Sequence, residues 1–360
     1  MSLRTALVRA LPSAFAIAFA LSTLGASCGQ KALGVMPGVV NDPGNLSLRK
    51  AILSYATSQV CTEMLRRSIP LKLRDDDPGT GRFYPTSCYA QEMSTQNLFI
   101  QFGGYGFAWT NLTKRLGFDA STAVEYEHDF LMDGSTMYVY FKQRSTTAIQ
   151  FKSRFVEQQQ PSVGVVPLPV GMSNDVFVNT FGPQILQNEI ARGFTVIRDA
   201  DGTVQFGLGR VPKGQRPAVP YKISPSGRTI LANDRSEVHQ NQRDFVGPIE
   251  VKGKDMALYL TGAVDGAAGA DALIVPKQIG DTWLQQYTTQ APLTPPPAYP
   301  ALDEQIVAGV MWRRTVALPP GYYYLVLDNT ASAGRTTPPI VANDDRAALV
   351  SFAIELGDAP

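Results

Sequence analysis

Apolar residues recur at Leu48, Ile52, Tyr55, Ala56, Val60 and Met64. That spacing predicts one helical stripe over roughly five turns, with Asn45 or Ser47 as its cap and Ile69-Pro70 as its end. Beyond it the pattern becomes strand-like. Leu98 to Phe102 reads as a strand, broken by a bulge at Gly103-Gly104-Tyr105-Gly106 before Phe107 and Trp109. Val124 to Gln143 reads as a hairpin turning on Asp133-Gly134. Pairing outward from that turn sets Phe130 against Met137, His128 against Val139, Tyr126 against Phe141 and Glu125 against Lys142. One face is then apolar and the other charged, as in a half-buried antiparallel pair. Ile149, Phe151 and Phe155 continue the alternation as a third strand.

Gln158-Gln159-Gln160-Pro161 closes this sheet. A short helix follows at Pro183 to Arg192 with Gly193 as its stop, then a hairpin pairing Phe194–Ile197 with Val204–Leu208. From about Ser224 the expected strands are Thr229–Ala232, Ile249–Val251, Met256–Leu260, Ala272–Val275, Ile306–Ala317, Tyr322–Leu327 and Ala347–Leu356. A helix around Gly280 to Tyr287 and a proline-rich loop from Pro292 to Pro300 interrupt them. Short strands with turn signals between them fit a β-sandwich. The stretch Leu318-Pro319-Pro320-Gly321-Tyr322-Tyr323-Tyr324-Leu325 resembles the penultimate strand of accessory sandwiches on secreted bacterial proteins, of the pre-peptidase C-terminal type. The expected class is a β-dominated α+β fold. A helix plus antiparallel sheet domain (47–160) and a connecting segment (161–222) precede the sandwich (223–360).

The N-terminus carries Arg4 and Arg9 without an acid, then an apolar run from Ala10 to Leu24, then Gly25-Ala26-Ser27-Cys28. This is the plan of a secretory signal. It resembles a bacterial lipoprotein signal, in which the new N-terminal cysteine is lipidated and kept. Gly25 stands where that family expects Leu, with Leu24 one step earlier. The resemblance implies a signal peptide over 1–27, lipidation of Cys28, a tether over 28–46, and a place in the cell envelope, most simply at the outer membrane. Cleavage by an ordinary signal peptidase and an uncleaved anchor are the other readings of the segment, although the run is short for a bilayer span.

Removing the signal leaves 30 basic against 31 acidic residues. No basic excess remains to hold nucleic acid or an anionic surface. With Cys28 assigned to lipid, only Cys61 and Cys88 remain, and an even pair in an oxidising compartment predicts a disulfide.

Candidate chemistry is sparse. Of the two histidines, His128 sits in Glu125-Tyr126-Glu127-His128-Asp129. Strand alternation turns it away from the three carboxylates, so a core histidine is expected rather than a ligand. His239 sits in Glu237-Val238-His239-Gln240-Asn241-Gln242-Arg243-Asp244, the densest polar run of the second half. Glu237, His239, Arg243 and Asp244 are therefore the candidate binding residues, against a plain polar loop. Asp199-Ala200-Asp201-Gly202 reads as a hairpin turn rather than a calcium loop, and Asp75-Asp76-Asp77 as a solvated loop. Tyr105, Phe107 and Trp109, and likewise Tyr322 and Tyr324, share faces that suit sheet packing or a sugar or peptide platform. No catalytic or cofactor motif appears, and no metal or cofactor is expected. Two readings follow. One is a non-enzymatic envelope lipoprotein with a protein or glycan partner. The other is an extracytoplasmic hydrolase using His239 with Glu237 or Asp244.

Overall fold

Burial alternates along the strand Lys114–Asp133: Val124, Tyr126, His128, Phe130 and Met132 are buried, whereas Glu127 and Asp129 are exposed. The period of two read from the sequence thus builds a half-buried antiparallel sheet. The computed structural model describes residues 37–360 apart from 94–96, 112, 158–161, 164–165, 168–181, 184–186, 188–189, 201–203, 224–226, 291, 337 and 339–345. The expected signal segment, Cys28 and the Gln158–Pro161 stretch lie outside the described residues, as does much of the Pro183–Arg192 helix.

Helices α1 (Pro37–Val40) and α2 (Leu46–Leu65) precede strands β1 (Ile69–Leu71), β2 (Gly81–Glu92), β3 (Leu98–Thr110), β4 (Lys114–Asp133) and β5 (Thr136–Val156). Then come β6 (Ser162–Val163), β7 (Val166–Pro167), β8 (Phe194–Arg198) and β9 (Val204–Leu208). The remainder is β10 (Thr229–His239), β11 (Gln242–Val251), β12 (Met256–Asp265), β13 (Gly269–Pro276), α3 (Lys277–Thr289), β14 (Leu302–Val307), β15 (Trp312–Ala317), β16 (Gly321–Asn329) and β17 (Ala347–Asp358). One seven-stranded sheet has the order β1-β2-β3-β4-β5-β8-β9, and two four-stranded sheets have the orders β10-β17-β12-β15 and β11-β16-β13-β14. No described helix is long and apolar enough to cross a membrane.

The chain packs as two compact units. Among the described residues, the first holds 37–56, Glu127–Lys142 and Gly193–Pro217. Val40 is buried here, the Asn41 amide bonds the Met132 carbonyl and N–H (2.8 Å each), and Arg49 stacks on Phe130 at 4.5 Å. The expected tether is therefore docked from Pro37 onward, because Val40 and Asn41 find partners on the hairpin. Tyr138, Tyr140, Ile197 and Val211 form an apolar cluster in this unit.

The second unit holds Thr57–Tyr126, Gln143–Arg192 and Ala218–Pro360. Inward residues of both four-stranded sheets, among them Val246, Leu258, Leu260, Ile274, Leu325, Val350, Phe352 and Ile354, contribute to one buried cluster. A second cluster forms where Trp283, Leu284 and Tyr287 of α3 meet Phe245, Leu273, Tyr324 and Val326 together with Tyr84 and Phe107. Cys61 of α2 and Cys88 of β2 form the expected disulfide, with α-carbons 5.3 Å apart.

Four local expectations change. The hairpin loop is Gly134-Ser135, one residue later than read, and His128 neighbours Phe141 (ring centroids 6.4 Å) rather than Val139. Gly134 takes φ +58° there, a conformation that costs glycine nothing. The expected bulge at Gly103–Gly106 does not interrupt β3; the register shift lies across from it, between Pro85 and Ser87 of β2. Ile149, Phe151 and Phe155 are not a third strand but the second half of β5. The Ile306–Ala317 segment is split into β14 and β15 by a turn in which Gly309 takes φ +74°.

Candidate functional site

The polar run Glu237–Asp244 is not a loop. It is the tight connection between β10 and β11, turning at Gln240-Asn241, where Asn241 takes φ +63°. Asparagine tolerates that left-handed conformation, so the local sequence specifies the turn. Because both flanking segments are strands, neighbouring side chains of the run diverge, and its four candidate residues end in three environments.

Val238 points into the inner cluster and is 1% exposed, which sends Glu237 and His239 together to the other side. There Glu237 Oε1 lies 2.6 Å from His239 Nε2. The His239 imidazole lies flat on the Trp109 indole, with centroids 3.3 Å apart and an 8° interplanar angle, and is 5% exposed. The Lys114 ammonium sits 5.2 Å from the Trp109 ring. The C-terminal end of β3 is held here by the Trp109 N–H, which donates to the Thr80 carbonyl at 2.8 Å.

Arg243 goes to the side facing α3. It pairs with Asp328 on β16, donates to Ser332 and to Thr330 (3.1 Å), and lies 4.4 Å from the Trp283 ring. Both members of the pair are buried, at 2% and 0% exposure. Burial pushes the Asp328 carboxyl up to about 6, opposed by the charge and hydrogen bonds of Arg243 and the hydrogen bonds from Thr330.

Asp244 points inward and accepts both prongs of Arg82 from β2, Nε at 2.7 Å and Nη2 at 2.6 Å, plus the Ser236 hydroxyl. Burial alone would lower the Arg82 guanidinium, but the Asp244 charge and hydrogen bonds raise it above its ordinary value. The same stretch is stitched to β10 and β11 by backbone bonds: Gly79 N–H to the Arg235 carbonyl (2.9 Å), Glu237 N–H to the Gly79 carbonyl (2.8 Å) and Ser68 N–H to the Gly247 carbonyl (3.1 Å). Tyr84 adds its hydroxyl to the Phe245 carbonyl at 2.6 Å.

No protein-family model matches this chain, and no curated protein does. The structure brings Glu237 and His239 together and separates them from Arg243 and Asp244. Each of the last two satisfies a buried partner, an arrangement that holds elements in place.

The other candidates fare as follows. His128 is 9% exposed, buried beside Phe141 as expected of a core histidine. Asp199 binds the Thr136 hydroxyl and a fork of Arg216, while Asp201 and Gly202 lie outside the described residues. In the acidic run, Asp75 accepts the Ala218 N–H (2.8 Å) and Asp77 accepts Arg74 (3.1 Å). The hollow beside it, about 10 Å³, is also lined by Lys72 and Asp234 and has room for about one water. Of the aromatic platforms, Phe107 and Tyr324 are core, Tyr105 stacks on Tyr84 at 5.5 Å, and Tyr322 is half-exposed. Among the described residues no group of three or more His, Cys, Asp and Glu side chains could hold a metal ion. Arg82, Ser236, Trp109 and Asp328 are the residues that give the run its character. Ser236 stands next to the run, but no local signal announces the others: Arg82 lies 162 positions from Asp244 and Asp328 lies 85 from Arg243.

Proposed function

We propose that the chain is a cell-envelope lipoprotein, anchored through Cys28 outside the cytoplasm at the outer membrane, and that it works as a non-enzymatic binding or structural module. The observation that carries this reading is the fate of the polar run: Arg243 and Asp244 are consumed in buried pairs, and His239 is covered by Trp109. A general base has to come within hydrogen-bond reach of a substrate proton, and a 5% exposed imidazole under an indole leaves little room for one. The Cys61–Cys88 disulfide supports an oxidising compartment. Two four-stranded sheets contributing to one apolar cluster support a β-sandwich as the architecture of the C-terminal half. The partner is an envelope protein or a glycan.

The hydrolase alternative rests on the 2.6 Å Glu237–His239 contact, which has the form of an oriented base. One pair of variants separates the readings. The purified wild type should turn over no ester, amide or glycoside substrate, His239→Ala should lower the melting temperature, and Cys28→Ser should move the protein from the membrane to the soluble fraction. Turnover by the wild type that His239→Ala abolishes overturns the non-enzymatic reading. Membrane retention of correctly cleaved Cys28→Ser overturns the second.

A further inference from the structure

The proline-rich stretch between α3 and β14 is a loop of the second unit pinned at both ends. At its start the Trp283 indole N–H donates to the Thr294 carbonyl (2.9 Å), and the Thr294 hydroxyl donates to Gln286 Oε1 (3.0 Å). Leu293 packs against the aromatic cluster under α3. At its end the Ala301 N–H donates to the Ile274 carbonyl (2.7 Å).

Between the pins run Pro295-Pro296-Pro297-Ala298-Tyr299-Pro300. Four prolines fix φ along most of this span, and every residue preceding a proline is turned away from the helical region. The segment therefore has little freedom left to lose on binding. Tyr299 projects from it at 99% exposure, the most exposed large hydrophobic side chain among the described residues. Residues 291–301 carry no charge. An aromatic ring held fully in water by a backbone that cannot fold over it has the form of an unoccupied anchor.

We infer that this loop is a docking peptide for a partner protein that has an aromatic-lined groove. The prolines offer carbonyl acceptors and no N–H, so the partner supplies donors, an indole N–H or a phenol O–H, and rings that stack on the pyrrolidines. Tyr299 fills the end of the groove with an apolar body and a polar tip. A lipid surface is disfavoured, because those carbonyls would enter hydrocarbon without donors. The inference rests on the binding-module reading and names its contact surface and class of partner.

The test titrates the purified full chain with an isolated WW-type domain, a probe whose aromatic groove takes proline-rich segments. Saturable binding is expected, weakened by about tenfold or more in Tyr299→Ala and severalfold in Pro297→Ala, with melting temperatures unchanged. Absence of saturable binding, or equal affinity of Tyr299→Ala, overturns the inference. In the native envelope, a benzophenone amino acid at position 299 should crosslink to one other protein. Adducts only with lipid or with a second copy of this chain also overturn it. Neither arm reads the state of Cys28, which intact mass reports separately, so the anchor and the docking loop fail independently.

Discussion

Removing Asp244 should destabilise the second unit far more than removing any surface carboxylate. Its side chain is 8% exposed and that of Arg82 4%, and the two meet in a bidentate pair at 2.7 and 2.6 Å. In Asp244→Ala the guanidinium stays inside without a counter-charge, and the Ser236 hydroxyl loses its acceptor. Stranding one member of a buried pair costs about 3–5 kcal/mol, a large share of the 5–15 kcal/mol that holds a typical domain. At about 2–4 °C per kcal/mol for a unit of this size, the melting temperature should fall by roughly 6–20 °C. The three tryptophans, Trp109, Trp283 and Trp312, all lie in this unit, so urea unfolding followed by fluorescence reports it separately from the other. The double variant Arg82→Met/Asp244→Leu replaces both charges with apolar groups and should recover most of the loss. A loss below about 1 kcal/mol in Asp244→Ala, or a double variant worse than either single one, would refute the account of this pair as a structural bolt.

Asp328 should titrate near pH 6, read by carbon-13 NMR of its carboxyl, because burial raises it. Its folded value lies above the ~3.9 of an unfolded chain, so its contribution to stability is fully present below about pH 4 and fades as pH rises through about 6. Asp328→Asn should flatten that part of the stability profile. Reducing the Cys61–Cys88 bond, which spans 27 positions, should cost about 3–4 kcal/mol by denaturant titration, and peptide mapping without reductant should recover the linked pair. Gly117→Ala should destabilise by roughly 1–3 kcal/mol or more in thermal melts, because a β-carbon there would come within 1.9 Å of the Thr288 carbonyl oxygen at the end of α3.

Periodicity carried most of the fold. The buried face of β4, the β8–β9 hairpin and the helix around Gly280–Tyr287 follow from local residue order, because a strand or helix advertises which side it buries, whereas the disulfide follows from the count of cysteines. Lengths were less legible. The expected strand Thr229–Ala232 extends to His239, since Ser236 and His239 bury polar atoms that alternation alone scores as exposed. The candidate site was legible only in part. The Glu237–His239 contact follows from strand alternation, whereas the pairs Arg82–Asp244 and Arg243–Asp328 depend on residues 162 and 85 positions away. A charge looks the same in a sequence whether water or a distant partner will solvate it.

The position of β17 has a consequence for biosynthesis. Residues Ala347–Asp358 lie between β10 and β12, pairing with both along nearly their whole length. The middle of that sheet is therefore the last part of it to be made, and among the described strands β10 has no neighbour in the sheet until Ala347–Leu356 has been synthesised. Closure must wait until this segment is available, and until then two strand edges stand open to pairing with other chains. A chain stopped before Ala347 would keep those edges indefinitely, so it should be recovered as aggregate rather than as a smaller folded protein.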